Sequence, residues 1–496
     1  MIYTNLLILS MLIAFILGIV LSILSTKSKH FLYIPAYISA LVFILFIPIG
    51  IKTIEYGPYT IMGGNFLFDS LSIYHIFLVN FIFLITSIYS IGYFTRHIDI
   101  HGEFEISFIR RYTILWQTFQ MFLLIVLLSN NIGFMWVSLE ATTLISAFLI
   151  ISPSNPLSIE AMWKYLIVCS VGIVFGFMGT ILTVVAAQNT STEPLFLFTQ
   201  LIEYSNLINP KIILLAFIFI VVGFGTKAGL APMHTWLPDA HSQAPTPVSA
   251  VFSGVMLNVA LFGIIRYLSV TDLVLGNDGQ AQSILLIFGF ISIFIAVIFI
   301  PLQYDIKRLL AYCSVEHMGI IAIGLGLGGL GTFAALFHIT NHSLSKVIAF
   351  FSAGHISEIY GTRDMRRIKA ASSSIPVWGT AFFISMLILI GVAPFAIFLS
   401  ELLIVKNAFF DHRYIVTALF LFAVFAIFIS LLKHTLGTSF GINTSTITES
   451  IKVGILDKII VITGISILLI LGLWMPGPFK KLLNNASLII QNGVRL

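Results

Sequence analysis

Runs of about twenty apolar residues, the length a helix needs to cross the hydrocarbon core of a bilayer, follow one another along this chain almost without interruption. About fourteen can be drawn: 4–24, 31–52, 72–94, 112–129, 131–152, 163–187, 211–235, 244–270, 282–301, 305–326, 329–354, 374–397, 412–432 and 455–475. The fourth and fifth, seventh and eighth, and tenth and eleventh are joined by very short connections; with soft boundaries, about 12 to 15 spans fit. Charge is scarce. Asp, Glu, Lys and Arg make up 9% of the 496 residues, against roughly 25% in soluble domains, and mean hydropathy is +1.06. No water-soluble fold covers itself with so few charges, so the chain reads as an all-α, multi-pass membrane protein embedded in a lipid bilayer. Its two cysteines, Cys169 and Cys313, lie inside apolar runs and exclude a disulfide scaffold. The N-terminal MIYTNLLILSMLIAF has neither a basic n-region nor a cleavage site and reads as a retained first helix. No basic patch with interleaved aromatics points to nucleic acid.

Lys and Arg set the expected orientation. With the N-terminus outside, about 15 of the 25 fall on the inner side, Lys27, Lys29, Lys307 and Lys452 among them, and about 8 on the outer side, Arg266 and Arg495 among them, which places both termini outside. Lys227 and Lys346 belong to neither side, since each sits in the middle of an apolar run. The net charge of +5 says little about partners when the charges flank membrane spans. No loop is long enough to be a soluble domain; the largest are 53–71, 95–111, 188–210, 355–373 and 433–454. One echo stands out. GLAP at 229–232 interrupts the seventh run and GVAP at 391–394 the twelfth, five spans apart. Interrupted spans at matching places in two halves point to inverted repeats with an ion path at midplane. The expected organisation is therefore N-terminal helices 1–3 over 1–111, a first five-helix inverted repeat over 112–270, a second over 282–432, and helix 14 with a tail over 433–496.

A charge at helix centre costs at least about 2.5–3.5 kcal/mol on insertion scales, so each one needs a reason. Glu140 lies in GFMWVSLEATTLISAFLI and Lys227 in IFIVVGFGTKAGLAPMH. His338, His342 and Lys346 lie in ALFHITNHSLSKVIAFF, Glu401 in PFAIFLSELLIV, and Glu316 and His317 in LLAYCSVEHMGIIAIG. The spacing i, i+4, i+8 of His338, His342 and Lys346 advances the helix face by only about 40° per step, so the three share one stripe about 12 Å long. Histidine takes and gives protons near neutrality, its ordinary pKa being about 6.5, and a lysine beside a movable carboxylate can load or release one. Two imidazoles and an amine in a row can thus pass protons through intervening water. Plainer readings stand beside these. A Glu140–Lys227 pair can simply fix helix packing, and His75 and His355 read as interfacial or capped side chains. His338-x3-His342 has zinc spacing but no third or fourth ligand in its segment.

What is missing narrows the chemistry. No cysteine array could hold an iron–sulfur cluster, no Walker motif is present, and no hydrolase constellation appears. GLGGLG at 326–331 matches a dinucleotide fingerprint in form only, because it joins two membrane helices; it reads as helix ends and a tight turn. The chain has no metal site, cofactor or redox centre of its own on this reading, so partners must supply the energy for any pumping.

KAGLAPMHTWLPDAHSQAPTPVSAVFSGVMLN at 227–258 resembles the proton-pumping antiporter-like subunits of respiratory complex I, shared with Mrp-type cation/proton antiporters and membrane-bound hydrogenases. DIKRLLAYCSVEHMG at 305–319 and GVAPFAIFLSE at 391–401 fit the same pattern, and the resemblance covers roughly 110–435. WKYLIVCSVGI (163–173), SGVMLN and NHSLSKVIAFFSAG make the chain most similar to the F component of hydrogenase-4 and formate hydrogenlyase complexes. The longest relatives continue into a lateral amphipathic helix, for which too few residues follow the fourteenth run.

The resemblance implies roles. Glu140 matches the fifth-helix glutamate and Lys227 its partner on the broken seventh helix, so the two are expected to touch. His338, His342 and Lys346 are the implied central relay, facing the protein interior, with Glu401 the exit-side acid of the broken twelfth helix. His234, Asp239 and His241 line the bend between the seventh and eighth helices. Asn258, Glu316 and His317 are secondary candidates; at 258 relatives often carry a lysine or histidine, and an amide cannot carry a proton at neutral pH. The implied function is a proton-translocating subunit of a hydrogenase-4-like or complex I-like (NADH-quinone oxidoreductase-like) complex in a bacterial inner membrane. Its implied partners are other membrane subunits and soluble redox subunits carrying Fe–S or NiFe centres. Two rivals remain: an Mrp-type sodium/proton antiporter subunit, and a membrane scaffold of a bicarbonate-uptake complex. Sodium favours clustered carbonyl and carboxylate oxygens over imidazoles and amines.

Overall fold

The computed structural model describes residues 2–24, 31–101, 106–152, 156–188, 194–441 and 454–494. Lys27, Lys29, Lys452 and Arg495 of the charge count lie outside the described residues. The described chain is almost entirely helical; a hairpin pairing Tyr59–Ile61 with Phe66–Phe68 is its one sheet. Among the described residues, eleven helical stretches are long and apolar enough to cross a membrane, and Ile8–Leu24 and Pro376–Leu389 are shorter apolar helices. The protein is a multi-pass, all-α membrane protein. Its short connections work because polar residues cap the next helix. Asn131 Oδ1 accepts from the amides of Gly133 and Phe134 to start Ile132–Ile150, and Asp305 Oδ1 accepts from those of Lys307 and Arg308 to start Ile306–Leu327. Such caps satisfy amides that have no partner within the helix.

Both expected breaks are present. Pro210–Ala228 stops before Pro232, and the chain resumes through a 3-10 turn, Met233–Thr235, into Trp236–Gln243. Pro376–Leu389 stops before Pro394, and Ala396–Phe410 resumes. Proline removes a backbone donor and clashes with the preceding turn. Each break opens on a glycine with positive φ, Gly229 at 76° and Gly391 at 72°, a conformation that L side chains rarely adopt; both Ala–Pro bonds are cis. Backbone freed in this way is tolerable at membrane depth only where protein or water satisfies it. At the first break Ser292 Oγ accepts from the Ala231 amide (2.9 Å); at the second Asn341 Nδ2 donates to the Ala396 carbonyl (3.0 Å). A third irregularity was not legible in the sequence: Phe252–Met256 forms one π-helical turn, directly ahead of Asn258.

The chain forms two compact units, one of Met1–Ala228, Val255–Ile284 and Lys481–Leu496, the other of Gly229–Gly254 and Leu285–Lys480. In the first unit Leu157–Ala186 packs on Pro210–Ala228 through small residues, which let membrane helices approach closely. A Cβ on Gly223 would lie 2.2 Å from the Gly176 nitrogen, and one on Gly172 2.6 Å from Thr226. Arg266, assigned to an outer loop by the charge count, is instead buried in Leu257–Val274. It grips Asp69 with two hydrogen bonds (2.6 and 2.7 Å) and donates to Ser72 Oγ (2.7 Å). Nothing local in the sequence marks this, because the partner lies 197 residues away. An amphipathic helix, Gly477–Asn492, follows the last span; it turns Leu482, Leu483, Ala486 and Ile490 inward, and its Ile489 carbonyl accepts from Ser269 Oγ (3.0 Å).

In the second unit Ile306–Leu327 and Gly329–Tyr360 are antiparallel neighbours joined at Gly328, whose φ is 72°. GLGGLG is thus two helix ends and a tight turn. Their close approach shows at Gly331, where a Cβ would meet the Gly324 carbonyl oxygen at 2.6 Å.

The glycine contact in the first unit is directly testable. Gly223→Ala places a methyl against backbone that cannot swing aside, and overpacking of this kind costs about 1–3 kcal/mol. The thermal midpoint of the detergent-purified protein should fall for Gly223→Ala and stay put for Gly477→Ala, whose added Cβ meets nothing within 4 Å. Equal midpoints would mean that the two helices separate easily.

Candidate functional site

Lys227 ends the Pro210–Ala228 helix, one residue before the first break, and is fully buried. Its ammonium donates to three oxygens of the Ile132–Ile150 helix: the Leu139 carbonyl (2.9 Å), Thr142 Oγ1 (2.6 Å) and Thr143 Oγ1 (2.6 Å). An ammonium has three N–H donors and no acceptor, so this cage saturates it. The expected direct contact with Glu140 is not made. Glu140 is half-buried, its Oε1 accepts from Ser170 Oγ (3.1 Å), and its Oε2 has no hydrogen-bond partner. The physical reason is geometric: residues three and four beyond Leu139 stack above it on one helical face, so the two threonine hydroxyls, which also donate to the Leu139 carbonyl, reach the lysine together with it. Asn258 is also buried in this unit, in the first turn of Leu257–Val274. His75 Nδ1 donates to the Leu71 carbonyl four residues back (2.9 Å), the capped side chain expected.

In the second unit His338, His342 and Lys346 are all fully buried along Gly329–Tyr360. The neighbouring helix adds a fourth group. His317 Nδ1 lies 2.9 Å from His338 Nε2, and the His317 ring centroid is 5.1 Å from that of His338 and 5.0 Å from that of His342. His338 Nδ1 in turn lies 2.9 Å from Ser400 Oγ, on the helix that follows the second break. Ser400, His338 and His317 therefore form a hydrogen-bonded row. In such a row each neutral imidazole donates from one nitrogen and accepts at the other, the arrangement a proton can cross by exchange of tautomers. Neither nitrogen of His342 bonds to protein. Lys346 donates to the Leu310 carbonyl (2.8 Å), with Cys313 and Glu316 nearby.

Glu401 is buried beside Ser400. A Cβ on Gly391 would stand 2.5 Å from Glu401 Oε2, so the glycine that opens the break also makes room for the carboxylate. Glu401 also lines a recess of about 450 Å³ whose other walls are apolar, among them Phe398, Phe420 and Phe425. One ligand atom each from His317, His338 and Glu401 lies within 4.8 Å of the others, as do those of Cys313, Glu316 and His317. Both groups could reach a cation by distance, and both use His317, whose Nδ1 already faces His338. The zinc spacing of His338 and His342 is filled by the His317 ring between them.

The bend residues separate into different surroundings. His234 is buried with its ring edge-on to Tyr312 (6.0 Å). Asp239 forms an ion pair with Arg308 (2.6 Å) at a partly exposed position. His241 is fully buried among Phe252 and Phe350, with Nδ1 at the Leu237 carbonyl (2.9 Å). Sequence reasoning missed Thr142, Thr143, Ser400 and Lys307. Lys307, counted among the inner-loop cations, is buried and donates to the Ala244 carbonyl (3.0 Å). The signal for the first three was present: Thr142 and Thr143 follow Glu140 closely in EATT, and Ser400 precedes Glu401. His355 packs on Trp378 (4.4 Å) away from the row.

Comparison with known proteins places the chain in a family. Residues 129–430 match the transmembrane family described as NADH:quinone oxidoreductase/Mrp antiporter. The chain is 40% identical over 353 residues to a hydrogenase-4 component F homolog of Methylacidiphilum infernorum, covering 70% of this chain and 73% of that one. It is 31% identical over 360 residues to hydrogenase-4 component B of Escherichia coli K12, covering 69% of this chain but only 51% of that longer protein. Its fold matches a chain of the archaeal membrane-bound sulfane sulfur reductase (TM-score 0.85, 22% identity, 98% of both chains). It also matches a chain of the Mrp complex from Dietzia sp. DQ12-45-1b (TM-score 0.82, 18% identity, 99% of this chain and 98% of that one).

The lysine cage yields a double-mutant cycle. Thr142→Val with Thr143→Val strands two N–H donors of Lys227, at about 1–3 kcal/mol for each unsatisfied buried group. Unfolding measurements should show that penalty with Lys227 present and lose most of it in a Lys227→Met background. An equal penalty in both backgrounds would mean that the threonines do not solvate the ammonium.

Proposed function

The chain belongs to the NADH:quinone oxidoreductase/Mrp antiporter membrane family, and from that premise we propose that it carries protons across a bacterial inner membrane. It acts as a subunit of a hydrogenase-4-like or complex I-like assembly, with its more basic end cytoplasmic. The observation that carries this reading is the buried row Ser400–His338–His317, with His342 against His317 and Lys346 one turn further along the same helix. Five polar or titratable side chains from three helices have a large desolvation cost in an apolar medium and no packing need that alanine or leucine would not meet. Imidazoles in hydrogen-bond contact do what a proton carrier requires: each can take a proton on one face and give one from the other. Glu401, against the broken backbone at Gly391, is the exit-side acid. Lys227 with Glu140 is a second loading site, the threonine cage holding the ammonium while the carboxylate moves independently of it.

The energy comes from outside the chain. Nothing in the sequence supports a redox centre, so the proposal assigns oxidation and reduction to soluble partner subunits carrying Fe–S or NiFe centres, and contact to neighbouring membrane subunits. The named relatives of component F and component B type support a hydrogenase-like partner set. A sodium-moving role, as in the Na(+)/H(+) antiporter subunit A1 of Staphylococcus haemolyticus, which is 31% identical over 71% of this chain and covers 43% of that protein, is the alternative. The imidazole-rich row favours protons over sodium.

Proteoliposomes of the whole complex test the reading. Lys346→Ala, His338→Ala and His317→Ala should each cut ion translocation at least about tenfold, the scale at which removing a positioned acid–base group lowers a rate, while assembly persists. His317→Ala is the discriminating variant, since only a relay that runs through the neighbouring helix requires it. Uptake that follows pH and ignores sodium supports proton carriage; uptake that follows sodium favours the antiporter alternative. Full translocation in Lys346→Ala ends the relay and leaves a scaffold.

A further inference from the structure

Away from the relay, the second unit holds a recess of about 540 Å³ between the Tyr304 segment, the loop around Met365–Lys369 and the last turns of Tyr414–Phe440. Its walls carry Arg366, Lys369, Lys433 and His434, with the hydroxyls of Ser430 and Thr438, and no carboxylate lines it among the described residues. Basic loops are ordinary at one end of a membrane protein; a basic concavity is not. Arg366 is already engaged. Its guanidinium holds Asp364 (Nη2–Oδ2 2.8 Å, Nε–Oδ1 3.0 Å) and lies 4.5 Å from the Tyr304 ring centroid. That contact also keeps the Asp364 carboxyl below its usual range, so the pair stays ionised and neutralises itself.

The two lysines are in a different state. Among the described residues neither the Lys369 nor the Lys433 ammonium makes a hydrogen bond or ion pair, although both face the same recess and His434 stands within electrostatic reach of each. Lys369 is held there by packing. Its stem crosses the helix at two glycines: a Cβ on Gly441 would meet Lys369 Cδ at 2.7 Å, and one on Gly437 would lie 3.7 Å from Nζ. Its own carbonyl accepts a hydrogen bond from the Tyr360 hydroxyl. Two like charges aimed at one cavity repel each other, and an anion is the natural counterweight.

The surroundings say what kind of anion. Ile429 is part of the wall, and below it Phe425, Phe422 and Leu421 of the same helix are 64%, 61% and 49% exposed. The basic recess therefore sits at the polar end of an apolar track on one membrane helix. A free phosphate would use only the charge, and an acidic peptide would leave the track uncovered. We propose that the recess binds the phosphate headgroup of an anionic phospholipid, clamped by Lys369 and Lys433, with the acyl chains lying along the Ile429–Phe425–Leu421 face. Basic pockets beside membrane helices bind such headgroups by this chemistry.

The experiment uses the full-length protein in phosphatidylcholine nanodiscs, titrated with phosphatidylglycerol or cardiolipin and read by native mass spectrometry of bound lipid. A cation near a membrane surface contributes about 1 kcal/mol, or about fivefold in affinity. Lys369→Gln with Lys433→Gln should thus weaken anionic-lipid binding by roughly 25-fold, and Lys369→Arg with Lys433→Arg should retain it. Lys480→Gln with Lys481→Gln, exposed lysines on another helix, should change nothing. The arginine pair, matched to wild type in thermal midpoint, separates a lost contact from a damaged fold. Wild-type binding by the glutamine pair overturns the proposal. Inorganic phosphate competing as strongly as the lipid overturns the lipid assignment and leaves a free-anion site. In the assembled complex, cross-links from these lysines to polypeptide, with no lipid retained, overturn it in favour of a subunit interface.

Discussion

Hydrocarbon does not solvate charge, and the placement of nearly every polar group in this protein follows from that. A buried cation has to bring its acceptors with it. Arg266 does so in the most rigid way available: a planar fork against one carboxylate, with a serine hydroxyl on the remaining face. Breaking either half of such a pair leaves an uncompensated buried charge, at about 3–5 kcal/mol. That geometry ties the helix carrying Arg266 to the start of the Ser70–His101 helix and offers nothing that moves. Lys227 meets the same demand differently, with a carbonyl and two hydroxyls. Neutral oxygens balance the donors without fixing a counter-charge, so the carboxylate nearby remains free to act on the lysine without being bonded to it.

The helix breaks follow from the same constraint. A proline inside a membrane helix frees carbonyls and amides that lipid cannot satisfy, and each break here is supplied from a neighbouring helix, by Ser292 at one and Asn341 at the other. Each also lies beside an ionisable side chain, Lys227 just before the first and Glu401 seven residues after the second. At the second break irregular backbone and buried carboxyl share one environment, Glu401 standing against Gly391. Gly391 combines the two roles, since its positive φ turns the chain and its missing Cβ leaves space for the Glu401 carboxylate.

Much of this was legible in the sequence, for reasons that are local. Run length measures bilayer thickness, so the spans could be drawn; Pro232 and Pro394 forbid a continuous helix wherever they fall; and His338, His342 and Lys346 share a face because of helical pitch alone. What escaped depended on which helices meet. His317 stood only as a secondary candidate until the Ile306–Leu327 helix brought it between His338 and His342. Arg266 looked like a loop cation because Asp69 is remote in sequence. The Glu140–Lys227 contact was expected on charge alone, and the structure shows why charge was an incomplete guide: hydroxyls three and four residues along a helix compete successfully for an ammonium when they share its face.

Lys227 and Lys346 differ in a way that bears on what each can do. Lys227 spends all three N–H donors on fixed oxygens, while Lys346 bonds to the Leu310 carbonyl and the Cys313 thiol, with the Glu316 carboxyl near it. A saturated ammonium gains little from a further partner and loses a bond whenever one intrudes. An unsaturated one has donors left for a mobile carrier, and forming that bond is the first step of handing a proton on. His342, one turn away, has both nitrogens unbonded to protein, so no direct hydrogen bond fixes it to Lys346. The contacts Ser400–His338–His317 are already made within the protein. In the second unit, then, the proposed relay is fixed by direct contact at the histidine pair and adjustable beside His342.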